Sequence, residues 1–215
     1  MSQFAETPLL SDRIFFPLFI IAAGLVIYIA FAAGPRSEAP NPLAGDPLQG
    51  FVIEGQDLQL VQSGPGLVHQ FLRDDVGQAF IHTAAGQPPD LGIRSAGTFL
   101  TLLPEISKAW EGHTVHMSVS LRRPTDNGSN NVFMRYYSMV SANSPAIDCQ
   151  VSKEWQTCEL VYQIPVSDKP PNLSYIGIWP DTKGKSRYID IGQFAAFVEG
   201  VAPVSSAEPS TVEPN

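Results

Sequence analysis

The sequence predicts an all-β domain, a β-sandwich or jelly roll, preceded by one transmembrane α-helix. Three observations lead to this prediction. Residues 14–33 form a run without any charged residue. Between residues 51 and 199, many short segments alternate apolar and polar residues, which is typical of half-buried strands. Turn-forming residues separate these segments and only residues 104–111 look helical, so strands dominate the domain.

The apolar run has the length of a transmembrane helix. At about 1.5 Å rise per residue, a run of this length covers about 30 Å, the thickness of the hydrocarbon core of a bilayer. A cleaved signal peptide is the alternative, because Ala30 and Ala32 have the spacing of a cleavage site. The run is longer than the apolar part of a usual signal peptide, so we predict an uncleaved anchor with residues 1–13 as a short cytoplasmic tail.

The segments on either side of the predicted domain are poor in large apolar residues. Residues 34–50 contain four prolines, Pro35, Pro40, Pro42 and Pro47, which predict a semi-rigid linker. Residues 200–215 are rich in Pro, Ser and Glu and are predicted to be disordered. The jelly-roll domain is therefore assigned to residues 51–199.

The overall charge argues against a nucleic-acid partner. The chain has 13 Lys and Arg against 21 Asp and Glu, which gives a net charge of -8. Neutralising phosphates requires a basic surface, and no run of basic residues occurs.

The two cysteines, Cys149 and Cys158, predict a disulfide. They lie symmetrically about a turn near residues 152–155, so an antiparallel hairpin would place them opposite each other, within reach of a bond. Two unrelated buried thiols are the alternative. An oxidised pair belongs outside the cytosol. We therefore expect a single-pass protein of the cell (inner) membrane with its domain on the extracytoplasmic, periplasmic side; the flanking charges, Arg13 and Arg36, do not decide the orientation.

The clearest strand is predicted at residues 114–121. Its apolar residues Val115, Met117, Val119 and Leu121 share one face, and polar residues occupy the other. The other predicted strands are 132–140, 157–164, 173–179, 188–192 and 194–198, with weaker candidates at 51–54, 79–83 and 98–103.

Four of these segments together resemble the galactose-binding-like jelly roll of carbohydrate-binding modules. The segments are GHTVHMSVSLRRP, VFMRYYSMV, EWQTCELVYQIP and LSYIGIWPDTKGKSRYIDIGQFAAF. In that family a Gly precedes a strand that ends in Arg, a later strand opens with Trp and closes with an apolar residue and Pro, and the last strand carries an aromatic-Ile-Asp-apolar motif. The matching positions are Gly112, Arg122, Trp155, Pro165 and 188–191. The resemblance covers residues 96–199 and implies a jelly roll that binds glycans.

The resemblance also implies a structural calcium ion. Family members often hold Ca²⁺ between an opening acidic residue and the aspartate of the last strand, and the matching residues are Glu54 and Asp190. Oxygen ligands suit Ca²⁺, which takes about 6–8 of them. In the alternative reading, Asp190 hydrogen-bonds a loop and Glu54 is solvated. The opening of the domain departs from the family pattern, because no Trp follows Glu54.

Sugar recognition requires aromatic rings that pack on C–H groups and a few polar groups that bind hydroxyls. If the apolar alternates of each strand point inward, Tyr175 and Trp179 point outward together. Arg135 is the most suggestive polar residue because it is surrounded by aromatic residues, although a structural arginine paired with a carboxylate is the alternative. The predicted ligand-binding residues are Tyr175, Trp179, Arg135, Tyr137, His116 and Arg122.

No catalytic motif supports an enzyme. We therefore expect a membrane-anchored, non-catalytic protein whose jelly roll binds a glycan. The alternative is an accessory or structural subunit of a membrane protein complex, in which the jelly roll docks on protein partners.

Overall fold

The computed structural model describes residues 12–33, 41–90 and 95–201. The chain divides into two compact units, the first ending at Pro40 and the second beginning at Asn41. The first unit contains helix α1, Asp12–Ala33, whose side chains are described for residues 14–29 and are mostly exposed. Among the described residues, no helix combines the length and the apolar character needed to cross a membrane.

The second unit is a β-sandwich of two antiparallel sheets, as the alternation predicts. The front sheet has the strand order β2-β5-β10-β7-β8; the back sheet has the order β3-β4-β11-β6-β9, and β1 also pairs with β11. The front strands are β2 (Gln62–Ser63), β5 (Thr98–Leu102), β7 (Asn131–Ser138), β8 (Ile147–Gln150) and β10 (Ser174–Trp179). The back strands are β1 (Phe51–Glu54), β3 (Leu67–Arg73), β4 (Ala79–Ala85), β6 (Thr114–Arg122), β9 (Gln156–Gln163) and β11 (Tyr188–Val198).

Strand β11 organises the back sheet. One of its edges pairs with β6, and the other pairs with β4 in its first half and with β1 in its second half. The sequence predicted two strands, 188–192 and 194–198, whereas the structure has one strand with a register shift between Ile191 and Gln193. Such a bulge adds a residue without ending the strand.

The core lies between the inward faces of the two sheets. The predicted inward residues of β6, such as Val115 and Leu121, are fully buried, and Ile176 and Ile178 of β10 meet them from the front sheet. Burying each such side chain contributes about 1.5–3 kcal/mol. The predicted helical turn is helix α2, Pro104–Ala109.

The segment before β1 packs on the domain. Leu43 and Leu48 contact the core, and the indole Nε1 of Trp110 donates a hydrogen bond to the carbonyl of Pro47 at 2.8 Å. The predicted linker 34–50 therefore has its last ten residues, 41–50, against the jelly roll. Residues 34–40, residues 1–11 of the predicted tail and residues 202–215 of the predicted disordered end lie outside the described residues.

The predicted disulfide between Cys149 and Cys158 is confirmed, with the Cα atoms 5.9 Å apart. The predicted antiparallel hairpin between the two cysteine strands, however, is wrong. Strand β8, which contains Cys149, pairs with β7 in the front sheet, whereas β9, which contains Cys158, pairs with β6 in the back sheet. The disulfide therefore joins the two sheets, because the chain crosses from one sheet to the other between the cysteines.

Candidate glycan-binding site

The outer side of the front sheet carries a group of half-buried aromatic residues around one arginine. The strand register places Tyr175 beside Tyr137 and places Gly177 between Arg135 and Phe99. These residues therefore lie on neighbouring strands and share one side of the sheet. We call this group the aromatic face; its members are Phe99, Phe133, Arg135, Tyr137 and Tyr175.

Tyr175 and Phe99 form the partly open end of the aromatic face. Their ring centroids are 5.2 Å apart with an interplanar angle of 78°, an edge-to-face pair. This contact fixes the orientation of the Tyr175 ring while the side chain stays half-buried. A ring held in this way can pack against the C–H groups of a sugar at little cost in side-chain entropy.

Arg135 lies beside Tyr137 in the middle of the aromatic face. Its Nε donates a hydrogen bond to the carbonyl of Ser144 at 2.7 Å, and its guanidinium carbon lies 5.8 Å from the Tyr137 ring centroid. The partner is thus a backbone carbonyl and not the carboxylate of the alternative reading. Burial raises the pKa of the Tyr137 hydroxyl above its ordinary value, and the nearby Arg135 charge opposes this shift. The hydroxyl therefore stays protonated at neutral pH and can both donate and accept hydrogen bonds.

Trp179 is on the same side of the sheet but is covered. Its exposed fraction is 1%, and its ring stacks on Phe133 with centroids 6.2 Å apart. The sequence predicted an outward, accessible ring. The alternation of residues along a strand gives the side of the sheet on which a residue lies, but it does not show which segments cover that side. The indole Nε1 is buried and has no hydrogen-bond partner among the described residues.

The backbone of residues 95–97 covers this part of the face. A Cβ placed on Gly177 would lie 2.1 Å from the carbonyl oxygen of Ala96. Gly97 has a φ of +81°, and a Cβ there would lie 2.3 Å from the carbonyl oxygen of Ile178. Both positions require glycine, because the two backbone segments approach too closely for any side chain.

His116 and Arg122 do not belong to the aromatic face. Both point outward from β6, which lies in the back sheet, so the expectation that they join Tyr175 and Trp179 is wrong. His116 Nδ1 lies 2.9 Å from a Glu159 carboxylate oxygen, and its ring stacks on Phe197 at 4.7 Å. These contacts place His116 at the opposite end of the back sheet from Arg122.

Arg122 is held by aromatic rings and a carboxylate. Its guanidinium carbon lies 4.9 Å from the Phe80 ring centroid and 4.5 Å from the Trp155 ring centroid. Its Nε donates to one carboxylate oxygen of Asp190 at 2.8 Å, and the other oxygen lies 2.7 Å from His82 Nδ1. Arg122 is therefore held in place by ring stacking and by an ion pair, which indicates a structural role for this side chain.

The two residues that match the implied calcium site, Glu54 and Asp190, both contact protein groups in this arrangement. One carboxylate oxygen of Asp190 accepts a hydrogen bond from Arg122, and the other oxygen contacts His82. A Glu54 oxygen accepts a hydrogen bond from Gln193 Nε2 at 2.7 Å. Within residues 12–33, 41–90 and 95–201, no group of three or more His, Cys, Asp or Glu side chains could hold a metal ion. The calcium ion therefore stays a prediction from the resemblance.

Three residues of these groups were not predicted from the sequence: Phe99 and Phe133 on the aromatic face, and His82 beside Asp190. Phe99 and Phe133 had a usable signal, because each is the outward alternate of its strand and lies two residues from another outward position. His82 had none, since it lies in the run AFIHTAA, where neighbours on both sides are small or apolar.

The comparisons with solved structures support the fold. The CBM22-2 xylan-binding domain of Paenibacillus barcinonensis Xyn10C matches with a TM-score of 0.50 and 11% identity, over 69% of this chain and 98% of that one. The CBM22-1 xylan-binding domain of the same protein matches with a TM-score of 0.47 and 14% identity, over 74% and 98% of the two chains. A structure described as "CBM4 structure and function" matches with a TM-score of 0.44 and 15% identity, over 74% and 93%.

At these identities the likeness concerns the fold alone, and the CBM22-2 match carries it. No protein-family model and no curated protein matches the sequence. The jelly roll of carbohydrate-binding modules is therefore the fold of the domain.

Proposed function

We propose that this protein is a membrane-anchored, non-catalytic glycan-binding protein whose ligand occupies the aromatic face. The observation that carries the proposal is the arrangement of Tyr175, Tyr137 and Phe99 around Arg135 on one side of the front sheet. These residues supply ring faces for C–H groups and donors and acceptors for hydroxyls, the combination that sugars require.

The fold likeness supports the same ligand class. The neighbouring structures named above include domains described as xylan-binding. A jelly roll hosts many functions, so the side chains on the sheet, and not the fold, decide the ligand. The ligand class of the proposal is therefore a neutral glycan, without a commitment to xylan.

The anchor in this proposal is the apolar run of residues 14–33. It contains no charged residue, and residues 12–33 are helical. The proposal rests on the sequence, in which this run of 20 uncharged residues has the length that crosses the hydrocarbon core of a bilayer as a helix. The disulfide supports a domain outside the cytosol, since thiols stay reduced in that compartment. We place the chain in the cell (inner) membrane with the jelly roll on the periplasmic side.

A glycan array with the full chain tests the ligand assignment. We expect binding to at least one neutral glycan, and we expect Tyr175→Ala to weaken it about tenfold, the effect of losing about 1.4 kcal/mol of contact energy. Phe197→Ala is the matched control, because Phe197 is a partly exposed aromatic residue on the back sheet. The proposal fails if no glycan binds, or if both variants lower binding equally.

A second function, an accessory subunit of a membrane complex, is favoured by one observation. Phe197, His116 and Val161 are paired neighbours on the outer side of the back sheet, and Phe197 and Val161 are 37% and 51% exposed. The exposed apolar side chains of Phe197 and Val161 flank His116 in this row and can dock a protein. Purification of the full chain in mild detergent distinguishes the two functions. The subunit is favoured if the chain copurifies in a stable complex, if Val161→Glu dissociates that complex, and if no glycan on the array binds.

A further inference from the structure

A cavity opens on the back sheet, on the opposite side of the sandwich from the aromatic face. Its volume is about 730 Å³, within the range of small-molecule sites. Its lining includes Gln70, His82 and Tyr188 from three adjacent strands and Pro124, Asp126 and Asn127 from the loop after β6.

The ring of His82 is fixed at the base of this cavity. Its Nδ1 lies 2.7 Å from Asp190, which also accepts a hydrogen bond from Arg122, and Tyr188 stacks on the ring at 4.3 Å with an interplanar angle of 9°. A carboxylate partner favours the tautomer with the proton on Nδ1. The other ring nitrogen, Nε2, then has a free lone pair that can accept a hydrogen bond from a ligand.

The loop wall of the cavity is fixed to the sheet. The Tyr188 backbone N–H donates to the Asn127 carbonyl at 2.9 Å, and the Asn127 side-chain nitrogen donates to the Ser186 carbonyl at 2.8 Å. Asn127 has a φ of +50°, a left-handed conformation that Asn adopts more readily than most residues. The cavity is therefore preformed, which lowers the entropic cost of binding.

The chemistry of the lining selects the class of ligand. It contains the carboxylate of Asp126 and no Lys or Arg, so a phosphate or sulfate group would meet repulsion. No three metal-ligating side chains come together among the described residues, which disfavours a cation. The polar groups that remain include the Gln70 amide, the Asp126 carboxylate, the Thr125 hydroxyl and the rings of His69 and His82. All of these groups exchange hydrogen bonds with hydroxyls.

We propose that this cavity is a second binding site, separate from the aromatic face, for a neutral hydroxyl-rich compound of the size of a mono- or disaccharide. The ligand donates a hydroxyl hydrogen bond to His82 Nε2 and exchanges further hydrogen bonds with Gln70 and Asp126. The two sites lie on different sheets, so a ligand can occupy either one alone.

Saturation-transfer NMR with the full chain tests this proposal. The background carries both Tyr175→Ala and Tyr137→Ala, which remove two rings of the aromatic face so that this face no longer contributes to the signal. The probes are glucose, galactose, xylose, cellobiose and xylobiose. We expect saturation transfer to at least one probe. Val68→Trp, which fills the cavity from its lining, abolishes the signal, and Gln70→Ala weakens binding about 2- to 10-fold, the effect of one hydrogen bond.

Leu72→Trp is the matched control, because Leu72 is an exposed residue on the same side of the same strand but outside the lining. It keeps the signal. Glucose 6-phosphate, compared with glucose, tests the neutral character of the site and binds more weakly. The proposal is overturned if no probe receives saturation, if the signal survives Val68→Trp, if Leu72→Trp also removes it, or if the phosphate binds as well as glucose.

Discussion

A single side chain, Arg122, connects separate parts of the back sheet. It pairs with Asp190 of β11 and stacks between Phe80 of β4 and Trp155, which precedes β9. Trp155 can lie flat here because Gly192 has no side chain: a Cβ at Gly192 would be 2.9 Å from the Trp155 ring. Three positions that match the family pattern, Arg122, Trp155 and Asp190, thus form one contact group on the outer side of the sheet.

We predict that Arg122→Ala lowers the free energy of unfolding by about 2–4 kcal/mol, because it leaves the Asp190 carboxylate, which is 3% exposed, without its cationic partner. Urea unfolding followed by fluorescence measures the change. Lys153→Ala, at an exposed position, is the control and should change stability by about 0.5 kcal/mol or less. Equal stability of the two variants would contradict the structural role of Arg122.

At the scale of elements, the disulfide joins two edge strands. Strand β8 is last in the front sheet and β9 is last in the back sheet, so the bond closes one side of the sandwich. Edge strands have pairing partners on one side only and open more easily than central strands. The bond therefore acts where hydrogen bonding between strands is weakest.

We predict that replacing both Cys149 and Cys158 with Ala lowers the free energy of unfolding by about 2–3 kcal/mol, as expected for closure of a loop of about ten residues. Urea midpoints with and without reductant measure the effect. Reductant should lower the midpoint of the parent protein and leave that of the double variant unchanged. Two titratable thiols in the native parent protein would refute the bond.

Sequence alternation predicted the strands and their inward faces but could not assign strands to sheets. The period-two pattern of residues 114–121 identifies the buried side of β6 correctly, because burial on one face is a local property. Whether β6 is beside β10 depends on long-range pairing, which alternation does not encode. For this reason Arg135, Tyr137 and Tyr175 were correctly placed on one side, whereas His116 and Arg122 were wrongly added to them.

Three strands, β2, β3 and β8, were not predicted at all. β2 and β8 are two and four residues long, and β3 is an edge strand whose residues are mostly exposed. Short or exposed strands lack the apolar alternation that a core imposes. The cover over Trp179 was equally invisible in the sequence, since it depends on the path of residues 95–97.

At the scale of the whole molecule, the proposed anchor determines whether the protein stays with the membrane. We expect the full chain to remain in the membrane pellet after alkaline extraction, because about 20 apolar residues insert favourably into a bilayer. A chain without residues 1–40 should move to the supernatant. This cut coincides with the boundary between the two compact units.

Substitution within α1 provides the control for this prediction. Ile21→Arg together with Leu25→Arg adds about 5–7 kcal/mol to the cost of insertion, if each central Arg costs about 2.5–3.5 kcal/mol. This variant should be extracted, whereas Leu25→Phe should stay in the pellet. Recovery of the parent chain in the supernatant would contradict the anchor.

The close approach of residues 95–97 to the front sheet has a consequence for evolution of the site. Gly97 and Gly177 cannot change without moving backbone, since even one methyl group at either position would collide with a carbonyl oxygen. Tyr175, Tyr137 and Phe99 are half-buried side chains, so other residues can replace them without a shift of the backbone. In the proposed site, substitution of the rings can therefore change which ligand binds, while the backbone contour beneath them stays the same.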